Sequence, residues 1–236
     1  MSRRVLRMER VQLFATCLGD LLFPDAIADA ERLLRAAGFD VDFPEAQVCC
    51  GQPAFNSGHR GPARRVARTF ARAFSRDAPI VCPSGSCATM AAHYLPELLG
   101  VKPFDVWELS AFVDARGAPL ERMNQGRRIA YHDSCHMLRE LRVADAPRRL
   151  LERSGAELVP LPRADLCCGF GGTFSVRQPE VSLAMADDKL GGAAAADALV
   201  TADPGCLMHL RGRSQYAARG VRVVHLATAL ARGTDA

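Results

Sequence analysis

The chain has 236 residues, 49% hydrophobic and 24% charged, the composition of a globular protein with ample core rather than of a disordered one. A net charge of +4 carried by scattered arginines (Arg3, Arg4, Arg32, Arg64, Arg127, Arg148) is not a nucleic-acid stripe. No run of about 18 apolar residues offers a membrane span, and the basic start Met1–Arg10 is not followed by the apolar stretch of an export signal, so the cytoplasm is the expected compartment.

Residues 1–10 read as a short extension without fixed structure. Val11–Thr16 then reads as a buried strand that delivers Cys17 at its end. Pro24 opens a helix to about Ala37, with Ile27, Ala30, Leu33 and Leu34 at helical spacing and Gly38 as its stop. Phe39–Phe43 is a second strand, followed by the loop Cys49-Cys50-Gly51. A helix is expected over about Gly61–Ser75, a strand over Ala78–Cys82 ending at Pro83-Ser84-Gly85-Ser86-Cys87, and a helix from Cys87 to about Leu99. Val106–Val113 leads into a linker, roughly Asp114–Gln125.

The second half replays this order. Arg128–His132 is the strand before Cys135, Pro147–Ser154 closes a helix that Gly155 ends, and Ala156–Val159 is a strand. The loop Cys167-Cys168-Gly169 precedes a helix from about Pro179 to Leu190. Ala198–Thr201 ends at Pro204-Gly205-Cys206, and Val221–His225 is a late strand. Alternating strands and helices imply an α/β fold: two pseudo-symmetric repeats, 11–120 and 126–236, each a small, mostly parallel sheet flanked by helices. The cysteines gather at the carboxyl ends of the strands, where such sheets bind ligands.

Nine cysteines in a reducing compartment point to metal or redox chemistry rather than to a disulfide frame. Their spacing repeats. Cys17 lies 118 positions before Cys135, and Cys49 and Cys50 lie 118 before Cys167 and Cys168. Cys87 corresponds to Cys206 with a slip of one residue. The duplicated item is a four-cysteine constellation. Adjacent cysteines cannot form a strain-free disulfide with one another, but they can place two thiolates on one metal or cluster. Thiolates are soft ligands for iron–sulfur clusters, zinc or copper(I), and four per half suits a cluster or a closed zinc site. His132, Asp133 and His136 flank Cys135, where they could tune a cluster by hydrogen bonding, carry protons, or simply cap the turn. Gly169-Phe170-Gly171-Gly172 lacks the spacing of a nucleotide loop and is read as close backbone packing with N–H groups free for an anionic centre.

The double pattern of Cys, 31 residues, Cys-Cys-Gly, 36 or 37 residues, Cys resembles the CCG cysteine-rich domain family. The segments Leu13–Cys17, Pro83–Met90, Tyr131–His136 and Leu166–Phe174 carry the likeness, which runs over about residues 10–230. The short two-repeat form is similar to the members that serve bacterial oxidation of L-lactate to pyruvate. The resemblance implies an iron–sulfur electron-transfer subunit in which Cys17, Cys49, Cys50, Cys87, Cys135, Cys167, Cys168 and Cys206 hold [4Fe–4S] clusters, one or two per chain. It also implies two partners, a ferredoxin-like iron–sulfur subunit and a further subunit. Zinc is a substitute in aerobic preparations. The chain has no flavin or nicotinamide fingerprint, so it is not expected to oxidise lactate alone.

In the heterodisulfide reductase branch of the family, five cysteines per half hold a noncubane cluster. Here the final Cys-x-x-Cys is Cys87-Ala88-Thr89-Met90 in one half and Cys206-Leu207-Met208-His209 in the other. Cys82 and His209 are therefore candidate replacement ligands. Reduction of a disulfide substrate, or a zinc-stabilised interaction module without redox chemistry, are the competing readings.

Overall fold

The computed structural model describes residues 8–236. Residues 1–7 of the expected extension lie outside the described residues, and the first strand begins at Arg10. Among the described residues, eight strands form two four-stranded parallel sheets. The first contains β1 (Arg10–Leu13), β2 (Asp40–Asp42), β3 (Ile80–Cys82) and β4 (Val106–Glu108) in the order β2-β1-β3-β4. The second contains β5 (Arg128–His132), β6 (Glu157–Leu158), β7 (Ala198–Thr201) and β8 (Val223–His225) in the order β6-β5-β7-β8. In both sheets the order reverses direction between the first strand and the third. Loops leaving those two strands diverge to opposite faces and open a crevice at the carboxyl ends. Cys17 and Cys87 follow β1 and β3, and Cys135 and Cys206 follow β5 and β7.

Local chemistry explains most boundaries. The helix Pro24–Ala36 starts with proline at a position whose N–H needs no partner. It ends at Gly38, whose φ of +88° is a left-handed stop. The helix Arg60–Ala73 buries Ala63, Ala67 and Phe70 on one face. The segment expected as one helix from Cys87 to Leu99 is instead three pieces: Gly85–Thr89, a π-helical turn Met90–Tyr94, and Leu95–Leu99. Pro96 has no N–H and crowds the preceding turn, and Leu95 N–H reaches back to the Met90 carbonyl, widening the helix there. The stretch expected to run from Val106 into a linker splits into β4 and the helix Leu109–Ala115. Glu108 makes the split by accepting the N–H groups of Ser110 at 2.9 Å and Ala111 at 3.2 Å. Short helices Cys17–Leu22, Cys135–Arg139 and Leu226–Arg232 are also additional to the expected set.

The halves pack about one shared core. Leu13, Val81, Leu109 and Phe112 of the first half join Ile129, Tyr131, Leu150, Val200 and Leu226 of the second in a single buried cluster. The helix Pro24–Ala36 lies on Leu226–Arg232, and Leu109–Ala115 lies on Asp145–Arg153, a reciprocal arrangement expected of a duplication. Arg232 closes the first of these contacts on buried Asp29 at 2.9 Å. Each sheet has a separate outer cluster: Phe14, Phe70, Phe74 and Phe104 in the first half, and Ala186, Leu190, Leu207 and Leu210 in the second. No helix among the described residues is long and apolar enough to cross a membrane.

Candidate metal centre

Three loops build each cysteine set. In the first half Thr16 takes φ +66°, a region β-branched residues avoid, and its hydroxyl accepts Gly19 N–H at 3.2 Å, capping the helix that Cys17 opens. Ser84 caps the helix Gly85–Thr89 by accepting Cys87 N–H at 3.3 Å. The sulfurs of Cys17 and Cys49 are 3.5 Å apart, and those of Cys50 and Cys87 are 3.4 Å apart. In the second half Asp203 caps the helix Pro204–Tyr216 by accepting Gly205 N–H at 3.0 Å and Cys206 N–H at 3.4 Å. There the Cys168 and Cys206 sulfurs are 3.3 Å apart. All nine cysteines are free thiols, the close pairs lying well beyond the disulfide bond length of about 2.05 Å.

The glycine after each cysteine pair has two tasks. Gly51 N–H donates to Cys49 Sγ and Gly169 N–H to Cys167 Sγ, each at 3.4 Å. Both glycines have positive φ, +84° and +97°. Space is tight at Gly169, where a Cβ would stand 2.4 Å from the Ser182 carbonyl oxygen.

These contacts select one preformed thiolate per half. Cys49 is drawn down to about 3 by the thiols of Cys17 and Cys50, with Gly51 N–H adding to them. Cys167 is drawn down to about 2 by the thiols of Cys135 and Cys168, with Gly169 N–H adding. The donors are held protonated. Cys17 and Cys135 are pushed up by donating to those thiolates and then by burial. Cys50 and Cys168 are pushed up by the same donation, by contact with Cys87 and Cys206 respectively, and by burial.

Seven of the eight repeated cysteines, all but Cys49, line one cavity of about 240 Å³ between the halves. Asp203 joins its two sides: its second carboxylate oxygen accepts Ser84 O–H at 3.2 Å and Ser86 N–H at 2.8 Å. Sequence reasoning did not single out Asp203, and its reach across to the other half has no local signal, because nothing local encodes a partner 117 positions away.

The flanking residues divide. His136 lines the cavity, with Nδ1 3.6 Å from Cys135 Sγ and Nε2 3.7 Å from Glu140. Asp133 is buried but paired with Arg148 through contacts of 2.8 and 2.7 Å. His132 is fully buried, and neither ring nitrogen has a hydrogen-bond partner among the described residues. Its ligand atom lies within 4.8 Å of the Cys168 and Cys206 sulfurs. Burial, then the Lys189 charge, lowers it to about 4, so the ring is neutral near pH 7.

The two replacement candidates do not line the cavity. Cys82 is buried in the apolar outer cluster of the first half, its thiol donating to the Ser84 carbonyl at 3.5 Å. His209 has Nε2 3.2 Å from Ser182 Oγ and 3.3 Å from the Ser182 carbonyl oxygen, and it borders a separate surface pocket beside Phe170.

The residues fit a thiolate-held metal centre. Soft donors converge from three loops in each half, backbone N–H groups face the sulfurs, and in the second half a buried imidazole stands unpartnered beside two of them.

Fold and donors together define a duplicated α/β protein presenting a cysteine-rich set at each sheet's switch point. Residues 11–91 and 129–211 each match the CCG cysteine-rich domain, and the chain belongs to that family. It is 44% identical to Lactate utilization protein A of Geobacillus kaustophilus (strain HTA426), over 94% of this chain and 98% of that one. The Geobacillus sp. (strain WCH70) protein of the same name is 42% identical over the same shares. Lactate utilization protein A 2 of Bacillus cereus (strain Q1) is 38% identical, over 95% of this chain and 98% of that protein.

Proposed function

We propose that the chain is a cytoplasmic iron–sulfur electron-transfer subunit of a system that oxidises L-lactate to pyruvate, with one centre in each of the repeats 11–120 and 126–236. The observation that carries this reading is the convergence of both repeated cysteine sets on one cavity. The names of the similar proteins supply the substrate class.

Cys17, Cys49, Cys50 and Cys87 hold the first centre, and Cys135, Cys167, Cys168 and Cys206 the second. A [4Fe–4S] cluster bound there supplies one-electron transfer. The chain's own groups prepare the sites. Cys49 and Cys167 offer ionised sulfur at neutral pH. The N–H groups of Gly51, Gly169 and Phe170 donate to sulfur and offset negative charge. Buried Cys50, Cys168 and Cys206 keep that side of each set away from water.

Oxidation of lactate to pyruvate releases two electrons and two protons, so the system needs a separate site for the organic chemistry. A ferredoxin-like iron–sulfur subunit and a further subunit fill that need. Leu21 and Leu22 stand exposed on the short helix that Cys17 opens, an apolar surface beside the first centre where a partner can dock.

The test is growth of a bacterium lacking this chain with L-lactate as sole carbon source. The wild-type gene restores growth, whereas Cys49→Ser and Cys167→Ser, expressed at equal level, do not. Unimpaired growth of the deletion strain on lactate would contradict the reading.

A further inference from the structure

The two cysteine sets are repeats, but the walls behind them are not. Position 14 of the first half corresponds to position 132 of the second by the offset of the cysteine pairs. Phe14 therefore stands where the second half has His132. Phe14 packs edge-on to Phe70 at 5.1 Å, inside an apolar cluster that also holds Cys82. The helix carrying Phe70 runs Arg60–Ala73, and its counterpart runs Pro179–Gly192, which puts Lys189 at the equivalent of Phe70. Thr201, the register partner of His132 across β5 and β7, sits where the first half has Cys82. An aromatic, apolar wall has become an imidazole, an ammonium and a hydroxyl.

Two of those three groups are incompletely satisfied. Both ring nitrogens of His132 and the hydroxyl oxygen of Thr201 are buried without partners among the described residues. Leaving a buried polar group unpartnered is costly, so three such atoms behind one cysteine set call for a ligand. Lys189 donates to the Arg163 carbonyl and places a buried positive charge on this side, which suits a centre made negative by several thiolates.

We infer that His132 is a nitrogen ligand of the second metal centre, beside Cys168 and Cys206, so that one chain carries two unlike centres: an all-thiolate one in the first half and a mixed thiolate–imidazole one in the second. The three ligand atoms already lie within 4.8 Å of one another. The second centre then has the higher reduction potential, because a neutral imidazole donates less negative charge than a thiolate. This inference rests on the metal-centre reading above.

The test is pulsed electron paramagnetic resonance on anaerobically purified, reduced protein, with iron, zinc and sulfide counted first. Wild type shows the nitrogen coupling of a bound imidazole. His132→Phe, which copies the first half, loses it while keeping the iron of the first half. His136→Gln retains it, although that ring lies 3.6 Å from Cys135 Sγ. If His132→Phe fails to fold, wild type labelled with ¹⁵N-histidine replaces it: the coupling changes isotope and persists in His136→Gln and His209→Gln. Iron-loaded wild type without imidazole coupling, or coupling unchanged in His132→Phe, overturns the inference and leaves the metal-centre reading standing. Protein holding zinc but no iron is read by zinc-edge X-ray absorption, where the imidazole signature must likewise vanish in His132→Phe. Protein that holds neither metal overturns both.

Discussion

Asp203 accepts the backbone N–H of Ser86 at 2.8 Å, across the boundary between the two repeats. The same carboxylate caps the helix that carries Cys206 and takes the hydroxyl of Ser84, which in turn caps the helix that carries Cys87. One side chain thus fixes the third loop of both cysteine sets.

Asp203→Ala removes the cap and both cross-repeat bonds together. A lost cap costs about 1 kcal/mol and each buried donor left unpaired about 1–3 kcal/mol. The expected loss is about 3–7 kcal/mol in reversible urea denaturation under reductant, and metal content falls in both halves. Asp203→Asn, which keeps one acceptor oxygen, loses less. Loss confined to the second half would show that the cross-repeat bonds do not position Cys87.

Gly51 and Gly169 hold equivalent places but differ in surroundings. A Cβ at Gly51 meets the Val66 side chain at 3.2 Å, whereas at Gly169 it meets backbone, the Ser182 carbonyl, at 2.4 Å. Gly51→Ala is expected to cost about 1–2 kcal/mol from its left-handed conformation alone. Gly169→Ala costs clearly more, because Ser182 belongs to a packed helix, and it empties the second centre first. Denaturation midpoints and metal content of the two variants decide; equal losses would contradict the asymmetry.

Burial raises the Glu108 carboxyl to about 7. Between about pH 4.5 and 7 the folded chain keeps a proton that the unfolded chain has released. Stability therefore falls as pH rises through that window and is flat above it, by about 3 kcal/mol in total. Buried His225, held at about 4, acts oppositely, its contribution being lost as pH falls from about 6.5 towards 4. Glu108→Gln isolates the first effect: near wild-type stability at pH 5, greater stability at pH 8. A wild-type-to-variant difference independent of pH would contradict it.

Asn124 is fully buried and ties three segments together. Its amide donates to Ser154 Oγ at 2.8 Å and the Ala229 carbonyl at 2.7 Å, and its oxygen accepts Thr234 N–H at 3.1 Å. Asn124→Ala is expected to lower stability by about 2–4 kcal/mol with metal ligation intact, as read by thermal unfolding alongside the absorption spectrum. A change under 0.5 kcal/mol, the size of an ordinary surface substitution, would contradict that role.

Signals written over a few neighbouring residues were legible. Buried strands, the Pro24 start and Gly38 stop, and the doubled cysteine spacing all follow from local periodicity or repetition, and they led to the correct sheet type. What stayed hidden depends on partners far along the chain or on fine hydrogen bonding. The helix after β4 rests on a Glu108 cap, an uncommon capping residue, and the π turn rests on Pro96 acting one turn back. His209 drew attention through its spacing from Cys206, and Cys82 as a cysteine without a counterpart in the second half, yet their partners hold them off the cavity. His132 drew attention only as a neighbour of Cys135. Its proximity to Cys168 and Cys206 comes from the way β5 lies beside β7, which residue spacing alone does not reveal.

The central claim, one iron–sulfur centre per repeat, is tested most directly by counting iron, zinc and acid-labile sulfide in anaerobically purified protein, for wild type and for the Cys167→Ser/Cys168→Ser double variant. The expected result is about four iron and four sulfide per filled repeat in wild type, with the first repeat's share retained in the variant. Zinc without sulfide under strict anaerobiosis, or neither metal, would contradict the claim.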